Sequence, residues 1–287
     1  MRKRFAQIIV VMAGLISGLC DVAAQDALRG SIRYVPGTPV VARWEGVYGG
    51  VQAGHSINKV DFKDASGSLT STILRESILQ GSVSSWATLG EGNVTENTFG
   101  GFVGFNMQWD DVVLGLEANY SQTKMSKSAS DSLARILAIN TNAPPDHNFF
   151  YDTTVSANAA ISLSDFGTVR ARAGWVIGQA LPYAFGGVAI ARAEVMKSAT
   201  VDYVRRDVPN VTDPVTPPFP DATFGPVTET SSRKNAIAFG YAVGIGIDYA
   251  IMQNVFVRAE WELVEFPNIE GIGVRINNAR VAAGLKF

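Results

Sequence analysis

Eleven charged residues in this chain stand inside apolar stretches, where they could do chemistry only together. Arg170 and Arg172 are two positions apart, as are Arg192 and Glu194; Arg258, Glu260 and Glu262 follow the same step. Glu117, Asp248, Arg280 and Lys286 sit among glycines, alanines and aliphatic residues. On a β-strand residues i and i+2 share a face, so these groups would project to one side. Six cations and five anions crowded onto one face must pair or form a hydrated network, because isolated charges away from water are costly. Acid–base catalysis has less to draw on. Neither His55 nor His147 lies in an H-x-S arrangement or beside a nucleophile motif. One cysteine and two histidines cannot build a Cys/His metal centre or a disulfide framework. Gly244-Ile245-Gly246 lacks the strand–turn–helix setting of a dinucleotide loop. The expectation is no catalytic residue, no metal and no cofactor.

Composition narrows the setting. Of 287 residues 47% are hydrophobic and only 17% charged, with 28 glycines. A disordered chain would be charge-rich and poor in apolar residues. A net charge of −2 argues against a nucleic-acid binder. Low charge with many glycines and aromatics suits a chain whose outer surface is not wholly in water.

The first residues read as an export signal. Arg2, Lys3 and Arg4 precede an apolar run from Phe5 to Leu19, and Val22-Ala23-Ala24 supplies the small residues of a cleavage site between Ala24 and Gln25. Cys20 does not form a lipobox, since Leu19 stands where a small residue is required. Cleavage removes three basic residues and one acidic residue from the 24 and 26 of the whole chain, leaving a mature net charge of −4. No later apolar run reaches the 18 or so residues of a membrane helix.

Alternation then marks eight strands. The clearest is Ile237–Ala250, where large apolar residues at odd positions oppose Ala238, Gly240, Ala242, Gly244, Gly246 and Asp248. Phe99–Trp109 and Val255–Leu263 show the same split. Weaker copies lie at Trp44–Ser56, Val112–Ser121, Ser162–Val176, Leu181–Glu194 and Val274–Phe287. Each is long enough to cross a bilayer when tilted. Eleven of the twelve prolines fall between these strands; only Pro182 touches one. Short turns at Asp110-Asp111, Gly178-Gln179 and Met252-Gln253-Asn254 alternate with long polar connections of about 40, 30 and 40 residues, the habit of an outer-membrane barrel. Strands 7 and 8 need about ten connecting residues.

The small second face makes a poor solvated surface and a good crowded lumen, so the large apolar face is turned to lipid. Trp44, Trp109, Tyr120, Trp175, Tyr183 and Tyr249 lie near strand ends, where interfacial aromatic girdles belong. Val281, Ala283, Leu285 and the terminal Phe287 share one face of the last strand.

These residues resemble the small alphaproteobacterial eight-stranded outer-membrane proteins, labelled porin family or outer-membrane immunogenic protein and similar in fold to the OmpA barrel. The opening Trp44-Glu45-Gly46-Val47-Tyr48-Gly49-Gly50 resembles the family's W-[TS]-G-F-Y-x-G, with departures at Glu45 and Val47. Gly115–Tyr120, Phe166–Trp175 with Leu181-Pro182-Tyr183 and Gly186–Ala189, and Arg280–Phe287 resemble its later strands, with Phe185 a further departure. The resemblance implies an all-β fold: an eight-stranded antiparallel transmembrane β-barrel with long extracellular loops and short periplasmic turns, in the outer membrane of a Gram-negative bacterium. It also implies that Val281, Ala283, Leu285 and Phe287 form the assembly signal.

The expected organisation is a signal peptide over 1–24, a periplasmic lead over 25–43 and the barrel over 44–287. Eight strands leave an interior only just wide enough for side chains, so the eleven charges should plug it. A pair of Arg172 with Glu260 or Glu262 would make removal of the arginine cost about 3–5 kcal/mol. The expected role is non-enzymatic: envelope integrity and presentation of surface loops, including 207–226. A narrow small-solute channel is the alternative. A lipid A-modifying barrel enzyme is more distant, because such enzymes set a histidine beside a serine and a carboxylate. Expected partners are outer-membrane lipid and lipopolysaccharide, the barrel-assembly machinery, and host or surface ligands through the long loops, with no nucleic acid.

Overall fold

The computed structural model describes residues 42–210 and 217–287. The expected signal peptide, its expected cleavage point between Ala24 and Gln25, and the expected lead as far as residue 41 lie outside the described residues.

Eight antiparallel strands close into a ring in chain order. They are β1 (Gly46–Asp61), β2 (Glu91–Trp109), β3 (Val112–Ala138), β4 (His147–Trp175), β5 (Ala180–Pro209), β6 (Ala222–Ala250), β7 (Val255–Ile269) and β8 (Ile272–Lys286). The seam between β1 and β8 runs from Tyr48↔Lys286 to Asp61↔Gly273. Closure leaves no open sheet edge in the apolar zone, as a sheet in lipid requires. Two short helices, α1 (Gly67–Ile73) and α2 (Gln80–Val83), lie between β1 and β2.

All eight expected strands are present in the expected order, but β3, β4, β5 and β6 run much further than the alternation suggested. Two of the three segments expected as long polar loops, those between β3 and β4 and between β5 and β6, are mostly strand. The connections at that rim are residues 62–90, 139–146 and 210–221, and β7 meets β8 across Glu270-Gly271 alone. The reason is a reversal of faces. In the extensions Ser126, Ser128, Ser130 and Ser132 point out, while Met125, Val155, Ala157, Ala159, Ile161, Leu163, Val195 and Val201 are buried inside. That is the pattern of a barrel wall in water, opposite to the apolar-out pattern of the membrane zone. Pro226 and Pro267 accordingly fall within β6 and β7, and Pro209 ends β5. Pro226 sits where β6 has no β7 partner, and Pro267 sits in the irregularity between Phe266 and Ile269.

Within the membrane zone the large apolar residues do face outward: Phe99, Val103, Phe105, Leu116, Val169, Val188, Phe239, Ile245 and Trp261 are all exposed. Trp109, Tyr120, Trp175 and Tyr249 are exposed near the ends of this band. Trp44 and Tyr183, expected in the girdles, are instead buried in the lumen. Period two places Tyr183 with inward Leu181 and Phe185, and Trp44 packs edge-on against Phe256 at 5.8 Å between centroids.

The interior is layered, as the inward residues of β7 show from the short-turn rim upward: Phe256, then Arg258, Glu260 and Glu262, then Val264 and Phe266. The lowest layer is aromatic and aliphatic, with Trp44, Tyr48, Phe102, Leu181, Tyr183, Phe185 and Phe256. Chain before β1 crosses this mouth: the Ala42 N–H donates to the Gly178 carbonyl in the β4–β5 turn. The top layer is an apolar core into which the β1–β2 connection folds, burying Phe62, Leu74, Leu79, Val83 and Leu89. Five such side chains contribute roughly 7–15 kcal/mol of burial before the entropy of ordering the segment is subtracted.

Candidate functional site

Between the aromatic floor and the apolar cap lies the charge network. Glu117 on β3 is its hub. Its Oε1 accepts from Arg170 Nη2 at 2.5 Å, Arg170 Nε at 3.1 Å and Asn119 Nδ2 at 2.7 Å. Its Oε2 accepts from the Tyr48 hydroxyl at 2.7 Å, Arg258 Nη1 at 2.9 Å and Arg172 Nη1 at 3.4 Å. Asp248 on β6 takes Arg258 Nε at 2.7 Å on Oδ1 and Arg172 Nη2 at 2.7 Å on Oδ2. Glu260 accepts two bonds of 2.7 Å from Arg170, one of 2.7 Å from the Tyr183 hydroxyl, and bonds from Arg280 Nε and Nη2, both on Oε1. Glu262 accepts Arg280 Nη1 at 2.8 Å and Arg170 Nη1 at 3.3 Å.

Two kinds of link build this network. Glu117 and Arg170, Asp248 and Arg258, and Glu260 and Arg280 are directly opposed partners on neighbouring strands. Such pairs are the sheet's own unit of side-chain contact. Arg172 with Glu117 and Arg280 with Glu262 meet diagonally across the same neighbouring strands, and the remaining links cross the lumen: Arg258 on β7 reaches Glu117 on β3, Arg172 on β4 reaches Asp248 on β6, and Arg170 on β4 reaches Glu260 and Glu262 on β7. The arginines also stack on aromatic rings. Arg170 lies 3.9 Å from the Phe185 centroid, Arg172 3.8 Å from Tyr183 and Arg258 4.3 Å from Phe102. Glycines on the facing strand make room for those rings. A Cβ on Gly244 would stand 2.4 Å from Phe185 Cζ, and one on Gly246 would stand 2.5 Å from the Tyr183 hydroxyl oxygen. The small lumen face read from the sequence is thus the seat of these two rings.

Four arginines and four carboxylates balance to zero, and every carboxylate oxygen among them accepts at least one donor. Their side chains are 0–1% exposed. A water-sized passage running beside them would leave them accessible, so none touches these eight side chains.

Of the eleven expected lumen charges, nine face inward: Glu117, Arg170, Arg172, Asp248, Arg258, Glu260, Glu262, Arg280 and Lys286. Lys286 stands apart at the mouth, its Nζ 4.5 Å from the Trp44 ring and 2.7 Å from the Arg43 carbonyl. Arg192 and Glu194 were expected inside and are outside. Inward Ala189, Ala191 and Ala193 fix the parity of β5, and Arg192 pairs with Asp165 at 2.7 Å on the outer surface, its side chain 58% exposed. The expected contact of Arg172 with Glu260 or Glu262 is also absent; its partners are Asp248 and Glu117, and Arg170 takes the two glutamates. The sequence reading missed Tyr48, Asn119 and Tyr183 as members. Tyr183 was legible from its parity with Leu181 and Phe185 opposite the glycines of β6. Val281, Ala283, Leu285 and Phe287 share the outward face, as expected.

The histidines lie elsewhere. His55 faces outward and bonds Asn97 at 2.9 Å. His147, at the far rim, holds Asp207 at 2.5 Å and stacks on Phe219 at 4.3 Å between centroids. Neither bonds a serine, threonine or cysteine among the described residues.

A closed ring of eight strands, apolar outside and charged within, defines an integral membrane β-barrel. The model of the outer membrane protein beta-barrel domain matches residues 44–287, and the chain belongs to that family; its place is the outer membrane of a Gram-negative bacterium. Similar solved structures include Ail, the attachment invasion locus protein of Yersinia pestis, at 12% identity, covering 85% of this chain and 99% of that one with a TM-score of 0.33. Neisserial surface protein A matches at 13% identity over 85% and 98%, with a TM-score of 0.33. The N-terminal barrel domain of Pseudomonas aeruginosa OprF matches at 11% identity over 82% and 98%, with a TM-score of 0.27. No match is found among curated proteins.

Proposed function

We propose that this protein is a non-enzymatic, non-conducting envelope barrel whose four tall strands present a surface beyond the outer membrane. The observation that carries this reading is the burial of all eight network side chains to 1% exposure or less. The apolar cap above and the aromatic floor below support it. So does the environment of His147, which is engaged by a carboxylate and covered by a ring. The partners in this reading are outer-membrane lipid along the apolar band and lipopolysaccharide at its outer edge. The assembly machinery would read Val281, Ala283, Leu285 and Phe287, and the periplasmic lead would follow an export signal ending at Ala24.

The test is single-channel recording of the refolded mature chain, residues 25–287, in a planar bilayer. A heat-dependent gel shift on the same sample establishes that the barrel has formed. Silence is expected; reproducible discrete steps that change with Arg170→Ala would overturn the reading in favour of a small-solute channel.

A further inference from the structure

β3 to β6 continue where their neighbours stop. The β2–β3 ladder ends at Phe99↔Gln122 and the β6–β7 ladder at Tyr241↔Glu265. Beyond those points β3 is paired only with β4, without interruption from Met125↔Leu163 to Ala138↔Phe150. Its other edge therefore carries a row of backbone N–H and C=O groups that no strand among the described residues satisfies. An edge of that kind is a template for another chain unless it is guarded. The β6 edge is guarded: Gly225-Pro226 interrupts it, Arg233 and Lys234 charge it, and its pairing to β5 slips twice. The β3 edge from 126 to 138 carries Lys127, Asp131 and Arg135, charges of both signs, but contains no proline, no glycine and no slip.

The side chains along the open edge select its partner. Asp131, Leu133 and Arg135 occupy successive positions on the inner face, and neither charge is in an ion pair among the described residues. Asp131 accepts only from the adjacent Ser132 N–H, at 2.9 Å, and Arg135 lies 5.6 Å over the Trp86 ring. We propose that this edge pairs antiparallel with the same edge of a second copy, about a two-fold axis at Leu133. Leu133 then faces Leu133, and each Asp131 faces Arg135 of the other copy, so symmetry makes the ion pair twice. An axis at Asp131 or at Arg135 would instead oppose like charges. β3 rises away from the short-turn rim, so copies in one membrane carry parallel β3 strands. The antiparallel partner belongs to an apposed membrane, and the contact is homotypic adhesion between two cells. One edge seam is weak, and many seams between two surfaces act together. The inference rests on the proposed outward presentation of the tall strands.

The test uses the mature chain refolded into phosphatidylcholine vesicles. Protease shaving of β3–β6 reports which vesicles expose the extension, which checks the presentation itself, and light scattering reports clustering. Wild-type vesicles cluster, and high salt disperses them. Asp131→Arg and Arg135→Asp, each alone, reduce clustering about tenfold or more, since both ion pairs become repulsions. Mixing vesicles of the two single variants restores clustering, because each introduced arginine meets an aspartate of the other variant. The double variant, carrying both changes in one chain, also recovers. A heat-dependent gel shift verifies each barrel. Wild-type vesicles that stay dispersed with the extension exposed, single variants that cluster like wild type, or a mixture that fails to cluster would each overturn the proposal.

Discussion

Removing Arg170 is the most direct probe of the lumen. Its guanidinium makes five bonds to three carboxylates, at 2.5 to 3.3 Å. At about 1.5–3 kcal/mol for each bond to a charged group, their sum is an upper bound of roughly 8–15 kcal/mol. The true loss is smaller, because no carboxylate is stranded. Glu117 keeps Arg258, Tyr48 and Asn119; Glu260 keeps Arg280 and Tyr183; Glu262 keeps Arg280. What remains is one uncompensated buried negative charge, and the expected cost of Arg170→Ala is about 3–5 kcal/mol. With a urea dependence of about 2–3 kcal/mol/M for a chain of this size, the unfolding midpoint falls by roughly 1–2.5 M. Tryptophan fluorescence of the barrel in detergent, with urea titrated in both directions, measures it. Arg192→Ala serves as the contrast: its pair with Asp165 is on the surface and contributes at most about 1 kcal/mol. Combining Arg170→Met with Glu117→Gln returns the network to neutrality and recovers part of the loss. If Arg170→Ala lowered the midpoint no more than Arg192→Ala, the network would not be holding the barrel.

Two further outcomes follow from the upper half of the molecule. Leu74→Ala, in the buried segment after α1, should cost about 2–5 kcal/mol by emptying part of the cap; a change under about 0.5 kcal/mol would mean the β1–β2 connection does not seal the lumen. At the far rim, burial pushes the Asp207 carboxyl up, but the Phe219 N–H and His147 outweigh it and hold the carboxyl below its ordinary range. A depressed folded value means the clamp's stabilisation is complete above the unfolded carboxylate value of about 4 and is lost as pH falls through the lower folded one. Hydrogen exchange at the Phe219 amide, which donates to Asp207 at 2.9 Å, should show a steady protection factor from pH 7 to about 4 and a decline below it. Protection that persists unchanged at pH 2 would refute the assignment.

Much of the architecture was legible residue by residue. Ile237–Ala250 announces its strand because period two needs only near neighbours, and the choice between lumen and lipid follows from Gly240, Gly244 and Gly246 being too small to make a solvated face. The extensions were not legible by the same rule. Ser126–Ser132 on β3 alternates as regularly as the membrane zone, but there water lies outside and the core inside, so polar residues take the face that apolar ones held lower down. Arg192 and Glu194 misled for a related reason. They stand at the top of the band on β5, where the outward face leaves lipid, and a charge there no longer signals the lumen.

The sequence by itself determined that this chain forms eight strands, that glycine and alanine line their inner face, and that charges of both signs in near balance are shut inside. Those are properties of composition and of spacing two residues apart, and a sheet in lipid has no solution but closure. Only the tertiary structure decided which arginine meets which carboxylate. Glu117 is 53 residues from Arg170 and 141 from Arg258, and a shift of two residues in any one ladder would leave every pattern in the sequence intact while exchanging the partners. The register is set by closing the ring, with rings on glycines and the charges in one layer, and that condition exists only when all eight strands are in place.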